Sequence, residues 1–132
     1  MIFRTAGDVN AEFINAGLKA PYKIGSPVTE FVTSETEQFV RVFTDGITDP
    51  DGRWMVKASD IAGMTPTQIK NFLSLPNVPN KVVTANIPSG TKLRTGVAGS
   101  VPDFGTNGGV TQFEIPHPDF VNASWFNNIQ NL

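Results

Sequence analysis

"TEQFVRVFTDG", Thr36–Gly46, is the stretch on which the fold turns. From Gln38 to Thr44 it is rich in β-branched and aromatic residues, which suit a pleated, half-buried strand, and Asp45-Gly46 is a turn signal that ends it. Side chains two apart in a strand share a face, so Phe39, Arg41 and Phe43 lie together and Val40 and Val42 lie opposite. Arg41 is therefore aimed at a largely apolar face. A guanidinium is costly there unless it pairs with a carboxylate or meets an anion. Three readings stay open: an edge strand from which Arg41 snorkels out, a buried ion pair with Glu114, or a clamp for phosphate or carboxylate, which the planar fork of Arg fits.

Upstream, a short helix is expected with Asp8 as N-cap, Val9, Phe13 and Ile14 as its apolar stripe and Gly17 as its stop. "KAPYKIGSPVTEF" (Lys19–Phe31) reads as extended, because Pro21, Gly25 and Pro27 interrupt regular structure. Residues 1–35 are expected to form a small N-terminal helical segment packing against a domain formed by residues 36–132.

Downstream, the turn "TDPDG" (Thr48–Gly52) leads to a second strand, "RWMVKA". Thr65, Pro66 and Gln68 spell a helix start with a capping box, Ile69, Phe72 and Leu73 give the helix an apolar face, and Pro76 stops it. "NKVVTANIP", "TKLRTG" and "TQFEI" are three further strands, and the tail "DFVNASWFNNIQNL" suits a strand or a short helix. This strand-heavy order predicts an α+β fold with a mostly antiparallel sheet.

At 132 residues the chain is long enough to bury a core without staples, and it has no cysteine, so disulfides and thiolate metal sites are excluded. A single histidine makes a His-based metal site unexpected. No apolar run reaches the roughly 18 residues of a membrane helix, so no membrane partner is expected. A net charge of −2, with Lys and Arg scattered, argues against a phosphate-gripping nucleic-acid binder.

A nucleophilic triad is not available. His117, between two prolines, is either a turn residue or a general base for RNA cleavage. In "FGTNGGVTQFEI" (Phe104–Ile115), Gln112 and Glu114 share a strand face opposite Phe113. Gly105, Gly108 and Gly109 form either a turn requiring positive φ or a loop whose bare N–H groups meet a ligand's phosphates. Arg41 and Gln112 are expected to face one cleft.

"FVRVF" combined with a late "GGVTQFE" resembles the ADP-ribosyltransferase-like fold. "IPSGTKLRTGVAGSVPDFGTNGGVTQFEI" is similar to the C-terminal half of the tuberculosis necrotizing toxin family of NAD glycohydrolases. The chain from "DVNAEFINAGLKAPYKIG" through "GRWMVKASDIAGMTPTQI" to its end resembles C-terminal toxin domains of contact-dependent growth inhibition and related polymorphic toxin systems. These resemblances imply an ADP-ribosyltransferase-like β core and catalytic roles for Arg41, Gln112 and Glu114. Arg41, Phe43, Trp54, Phe104, Gly105, Gly108 and Gly109 would border NAD, which is a substrate, with no metal and no cofactor. One departure is visible: the NAD glycohydrolase family carries a histidine on the strand matching "NKVVTANIP", and this chain has none there.

The implied function is cleavage of the nicotinamide–ribose bond of NAD, with water or, alternatively, a protein side chain accepting ADP-ribose. The implied setting is the C-terminal part of a larger secreted surface toxin, acting in a target cell's cytoplasm and held in check by an immunity protein. Two other classes stay open. One is a metal-independent RNase toxin acting on transfer RNA through His117, Arg94 and Thr111. The other is a non-enzymatic protein-binding module.

Overall fold

The computed structural model describes all 132 residues, Met1–Leu132. In chain order its elements are β1 (Ile2–Thr5), α1 (Ala6–Asn15), β2 (Pro27–Val32), β3 (Glu37–Phe43), β4 (Trp54–Met55), α2 (Ala58–Ile61), α3 (Pro66–Leu73), β5 (Lys81–Ile87), β6 (Lys92–Val97), β7 (Thr111–Glu114) and β8 (Phe126–Asn131), with short 3-10 turns at Pro102–Phe104 and Ala123–Trp125. All strand pairings are antiparallel, in a five-stranded sheet ordered β1-β2-β6-β7-β4 and a three-stranded sheet ordered β3-β5-β8. The fold class is α+β with few helices, as the strand-rich sequence implies. The tail is a strand, β8, on the outer edge of the second sheet.

The two sheets meet at one edge. Val40 of β3 and Val56, just after β4, exchange both backbone hydrogen bonds at 2.9 Å. The main core lies where they fold over one another: Phe39 and Phe43 with Val83, Ala85 and Ile87 face Met55, Leu93, Phe113 and Ile115. The rings of Phe39 and Phe113 stand 4.6 Å apart. The opposite face of β3 carries Val40 and Val42 under α2 and α3, against Ile61, Ile69 and Leu73. The alternation of "FVRVF" thus feeds two cores. No helix is long and apolar enough to cross a membrane.

α3 has the expected start. The Thr65 hydroxyl accepts from Gln68 N–H at 3.2 Å, and the Gln68 side chain accepts from Thr65 N–H at 2.9 Å. For α1 the cap is one turn earlier than expected. Thr5 is the N-cap and accepts from Asp8 N–H at 3.1 Å, so Asp8 lies in the first turn, where its charge favours the helix dipole. Gly17, with φ +79°, does end the helix: Gly17 N–H donates to Ile14 and Leu18 N–H to Phe13. The buried side of α1 is Ala6, Val9 and Asn10, while Ile14 is exposed.

The first 35 residues contribute two strands that the sequence did not reveal. β1 pairs with β2, and β2 with β6, so this segment extends the sheet containing β6 and β7. Pro27 is tolerated as the first residue of β2, where the proline ring meets no interior ladder.

Candidate functional site

A cavity of about 430 Å³ opens between α1, β3, β4 and the C-terminal end of α3, and its lining is mostly apolar. Arg41, Phe43, Trp54, Phe104 and Gln112 all contribute to its wall, alongside Phe13, Leu73 and Val101. The structure thus brings together five of the residues singled out in the sequence. Arg41 and Gln112 come from different sheets and share this one cleft.

Arg41 contributes to the wall without a carboxylate partner. Its Nε donates to the Asp49 carbonyl at 3.2 Å and its Nη1 to the Trp54 carbonyl at 3.3 Å, both long bonds. A guanidinium has five N–H donors, so most of its donor capacity is unused. Burial lowers its pKa from the ordinary arginine value, and the Asp51 and Asp49 charges oppose that shift from outside ion-pair distance. The considered ion pair between Arg41 and Glu114 does not form.

Gln112 is fixed by its amide. Nε2 donates to the Pro21 carbonyl at 2.8 Å, and Oε1 has no partner within the chain. Pro21 is itself held in place because Asn10, on α1, makes two hydrogen bonds to the backbone of Tyr22, at 2.8 and 2.9 Å. Trp54 lies between Phe13, at 5.9 Å, and Tyr22, at 6.0 Å, both tilted. Phe104 is carried by the 3-10 turn, and its carbonyl accepts from Lys70 of α3 at 2.8 Å. An exposed ion pair between Lys19 and Asp103 ties that turn to the segment after α1.

Glu114 is elsewhere. It lies on the same strand face as Gln112 but does not line the cavity. Its Oε1 accepts from the Tyr22 hydroxyl at 2.9 Å and from Arg94 Nη1 at 3.0 Å. Arg94 also donates Nε and Nη2 to Glu30 Oε2 at 2.9 and 2.7 Å. Register explains the cluster, since Glu30, Arg94 and Glu114 are direct cross-strand neighbours on β2, β6 and β7. Burial raises the Glu114 pKa above the usual carboxylate range despite Arg94 and Tyr22. It also raises that of the Tyr22 phenol, which lies beside the Glu114 charge. For Glu30 burial pushes upward too, but the hydrogen bonds and charge of Arg94 win and hold its carboxyl below the usual value.

The glycine loop has its own account. Gly105, Gly108 and Gly109 have φ of +66°, +72° and +119°, so the positive-φ requirement is real. Their N–H groups are not bare. Gly105 donates to Pro102, Gly108 to Asn71 and Gly109 to Ala98, at 2.9–3.0 Å. Asn107 N–H donates to the Asn71 side chain and Val110 N–H to Phe72. The loop docks on α3 and on the end of β6, so its glycines meet backbone where phosphate binding was considered. A Cβ at Gly108 would stand 2.6 Å from the Gly99 carbonyl.

The residues of the nuclease alternative are not gathered. Arg94 is consumed by two carboxylates, His117 is exposed in the turn after β7, and neither these nor Thr111 lines the cavity. No group of three or more acidic or His side chains converges on a possible metal position.

No family model matches the chain, and no curated protein does. Among solved structures, that of Tne2 in complex with Tni2 superposes with a TM-score of 0.65. The match covers 84% of this chain and 97% of that one, at 15% identity. At that identity the likeness is one of fold.

Sequence reasoning missed Phe13, the Ala20–Pro21 wall, Ser74 and the residues after α3, and Gly52. Phe13 carried only the signal of an apolar helix stripe. Gly52 carries in the sequence only the signal of a turn residue.

Proposed function

We propose that this chain is a toxin domain with an ADP-ribosyltransferase-like core that binds NAD in the 430 Å³ cavity and cleaves its nicotinamide–ribose bond. The observation that carries this reading is that Arg41 and Gln112, each with unused hydrogen-bonding groups, both line one aromatic-lined cleft. The similarity of fold to Tne2, solved with Tni2, supports a chain of this kind that is met by a dedicated protein partner.

The roles follow from the chemistry. Arg41 takes the diphosphate with the N–H donors that its two long carbonyl contacts leave unused, in bonds between opposite charges. Trp54, Phe43 and Phe104 offer apolar surface to the nicotinamide ring. As the C1′–N1 bond breaks, its electron pair goes to the ring nitrogen and cancels the pyridinium charge. Positive charge appears on the ribose, where the Gln112 Oε1 dipole stabilises it. Water then adds its oxygen to C1′ and releases a proton. Glu114 stands behind this arrangement, holding Tyr22 and Arg94, and makes no contact with the cleft.

In this reading the domain is the C-terminal part of a larger secreted toxin, acts in a target cell's cytoplasm, and is neutralised by a cognate immunity protein. The test is incubation of the purified domain with NAD and, separately, with total transfer RNA. Release of free nicotinamide is expected. Arg41→Ala and Gln112→Ala should each lower kcat/KM per folded molecule by about 10²- to 10³-fold. Intact NAD, or discrete RNA fragments, would overturn it.

A further inference from the structure

The turn "TDPDG" does more than reverse the chain, because it wraps the Arg41 guanidinium. The Asp49 carbonyl accepts from Nε, the Trp54 carbonyl accepts from Nη1, and Gly52 lies between these two residues, directly against the guanidinium. A Cβ built on Gly52 would stand 2.5 Å from Nη2 and 2.8 Å from Nε, and closer still to Cζ. Both nitrogen distances are shorter than any real Cβ contact. At Gly52 the backbone does not have the positive φ that marks most of the turn glycines, so an alanine there is not strained by its own conformation. The three nearest atoms it would meet all belong to the Arg41 head. The closest constraint on a side chain at position 52 is therefore the position of the Arg41 charge, and a left-handed turn conformation adds nothing to it.

We infer that Gly52 is the positioning residue that lets the Arg41 guanidinium lie at the anion-binding wall of the cavity, so that a diphosphate-bearing ligand is gripped only when position 52 has no side chain. This deepens the reading of Arg41 as the phosphate clamp and rests on it. The ligand class follows from the donor: a planar fork with most of its N–H groups unused suits a phosphoryl or diphosphate oxygen pair.

The consequence is selective. Gly52→Ala displaces the far end of one flexible side chain and leaves the cores intact. The melting temperature should stay within about 3 °C of the parent's. Loss of one charge-assisted bond corresponds to about 10- to 100-fold in affinity.

The experiment is a calorimetric titration of the full chain with inorganic pyrophosphate, which needs no turnover, on the parent, Gly52→Ala, Arg41→Ala and the double variant. Gly52→Ala should weaken pyrophosphate binding by about 10- to 100-fold, and the same substitution should add nothing in the Arg41→Ala background. With NAD, Gly52→Ala should raise KM while kcat stays within about threefold, a split that simple loss of folded protein would not produce. Unchanged pyrophosphate affinity in Gly52→Ala, or an equal loss in the absence of Arg41, overturns the inference. So does a parent that binds no pyrophosphate. A parent that binds pyrophosphate through Arg41 but leaves NAD intact supports the role of Gly52 and overturns the NAD reading alone.

Discussion

Arg94→Leu is expected to destabilise the protein in a way that depends strongly on pH. Arg94 donates three hydrogen bonds at 2.7–3.0 Å and supplies the charge opposite both Glu30 and Glu114. Without it the two carboxylates fare differently. Glu30 keeps Arg4, whose Nη1 is 3.6 Å away, and lies near the sheet edge. Glu114, 1% exposed, keeps only the Tyr22 hydroxyl. Breaking a buried pair this way costs about 3–5 kcal/mol, or about 10–20 °C in melting temperature for a chain of this length. The sign with pH follows from Glu114. Burial already holds its pKa above the ordinary 4.5, and losing Arg94 raises it further. A carboxyl whose pKa is raised by folding gives stability that is complete below its unfolded value and is lost as pH rises through the folded one. Between pH 7.5 and 5.5 the penalty should therefore shrink by up to about 2.7 kcal/mol, at about 1.4 kcal/mol per pH unit. Urea unfolding of parent and variant at both pH values measures it, and Arg94→Leu/Glu114→Gln is the control. The double variant should regain most of the loss at pH 7.5 and lose the extra pH dependence. A cost equal at the two pH values, or a double variant no better than the single, refutes the argument.

Two further outcomes separate scaffold from site. Thr65→Ala removes the hydroxyl that caps α3 and should cost about 1 kcal/mol in urea unfolding while NAD turnover per folded molecule is unchanged; a large fall in specific activity at normal stability would bring α3 into the chemistry. His117→Ala should leave NAD turnover within a few-fold of the parent, because His117 is exposed and outside the cavity. A loss of about 10²- to 10⁴-fold is what removal of a general acid or base produces.

What the sequence made legible follows from periodicity and from local chemistry. β3, β5, β6 and β7 announce themselves by β-branched and aromatic runs between turn residues, and α3 by its capping box. β1 and β2 do not. β1 is a four-residue edge strand with two exposed apolar residues, and β2 begins on a proline within a stretch broken by Gly25. α2, one turn long, has no side-chain cap to betray it. The glycine loop was legible in its backbone conformation and not in its partners, since Asn71 and Ala98 reach it only through the tertiary fold. Glu114 shows the same limit. Its flanking apolar residues mark a charge that needs compensation, but the register that chooses Arg94 and Tyr22 over Arg41 depends on β2 lying beside β6, and β2 was unseen.

Two strand arginines, Arg94 and Arg41, make a controlled comparison within one molecule. Arg94 sits between Leu93 and Thr95, and the sheet brings it carboxylates from both neighbouring strands, so its charge is neutralised where it is buried. Arg41 sits between Val40 and Val42, on a strand whose neighbour β5 offers it Val83. Val83 is wholly buried in the main core and brings Arg41 no charge. Instead the 48–52 turn supplies a carbonyl from Asp49 and a bare Gly52, while its two carboxylates stay beyond ion-pair distance. A side chain introduced at position 52 would push the guanidinium away, and an acid across the strand would have saturated it. The protein has neither. Arg41 thus keeps two carbonyl contacts and the more distant charges of Asp49 and Asp51 where Arg94 has two carboxylates in contact, and N–H donors remain unpaired on a residue that lines the cavity. That asymmetry, more than any single distance, separates Arg41 from an arginine whose charge is neutralised within the sheet.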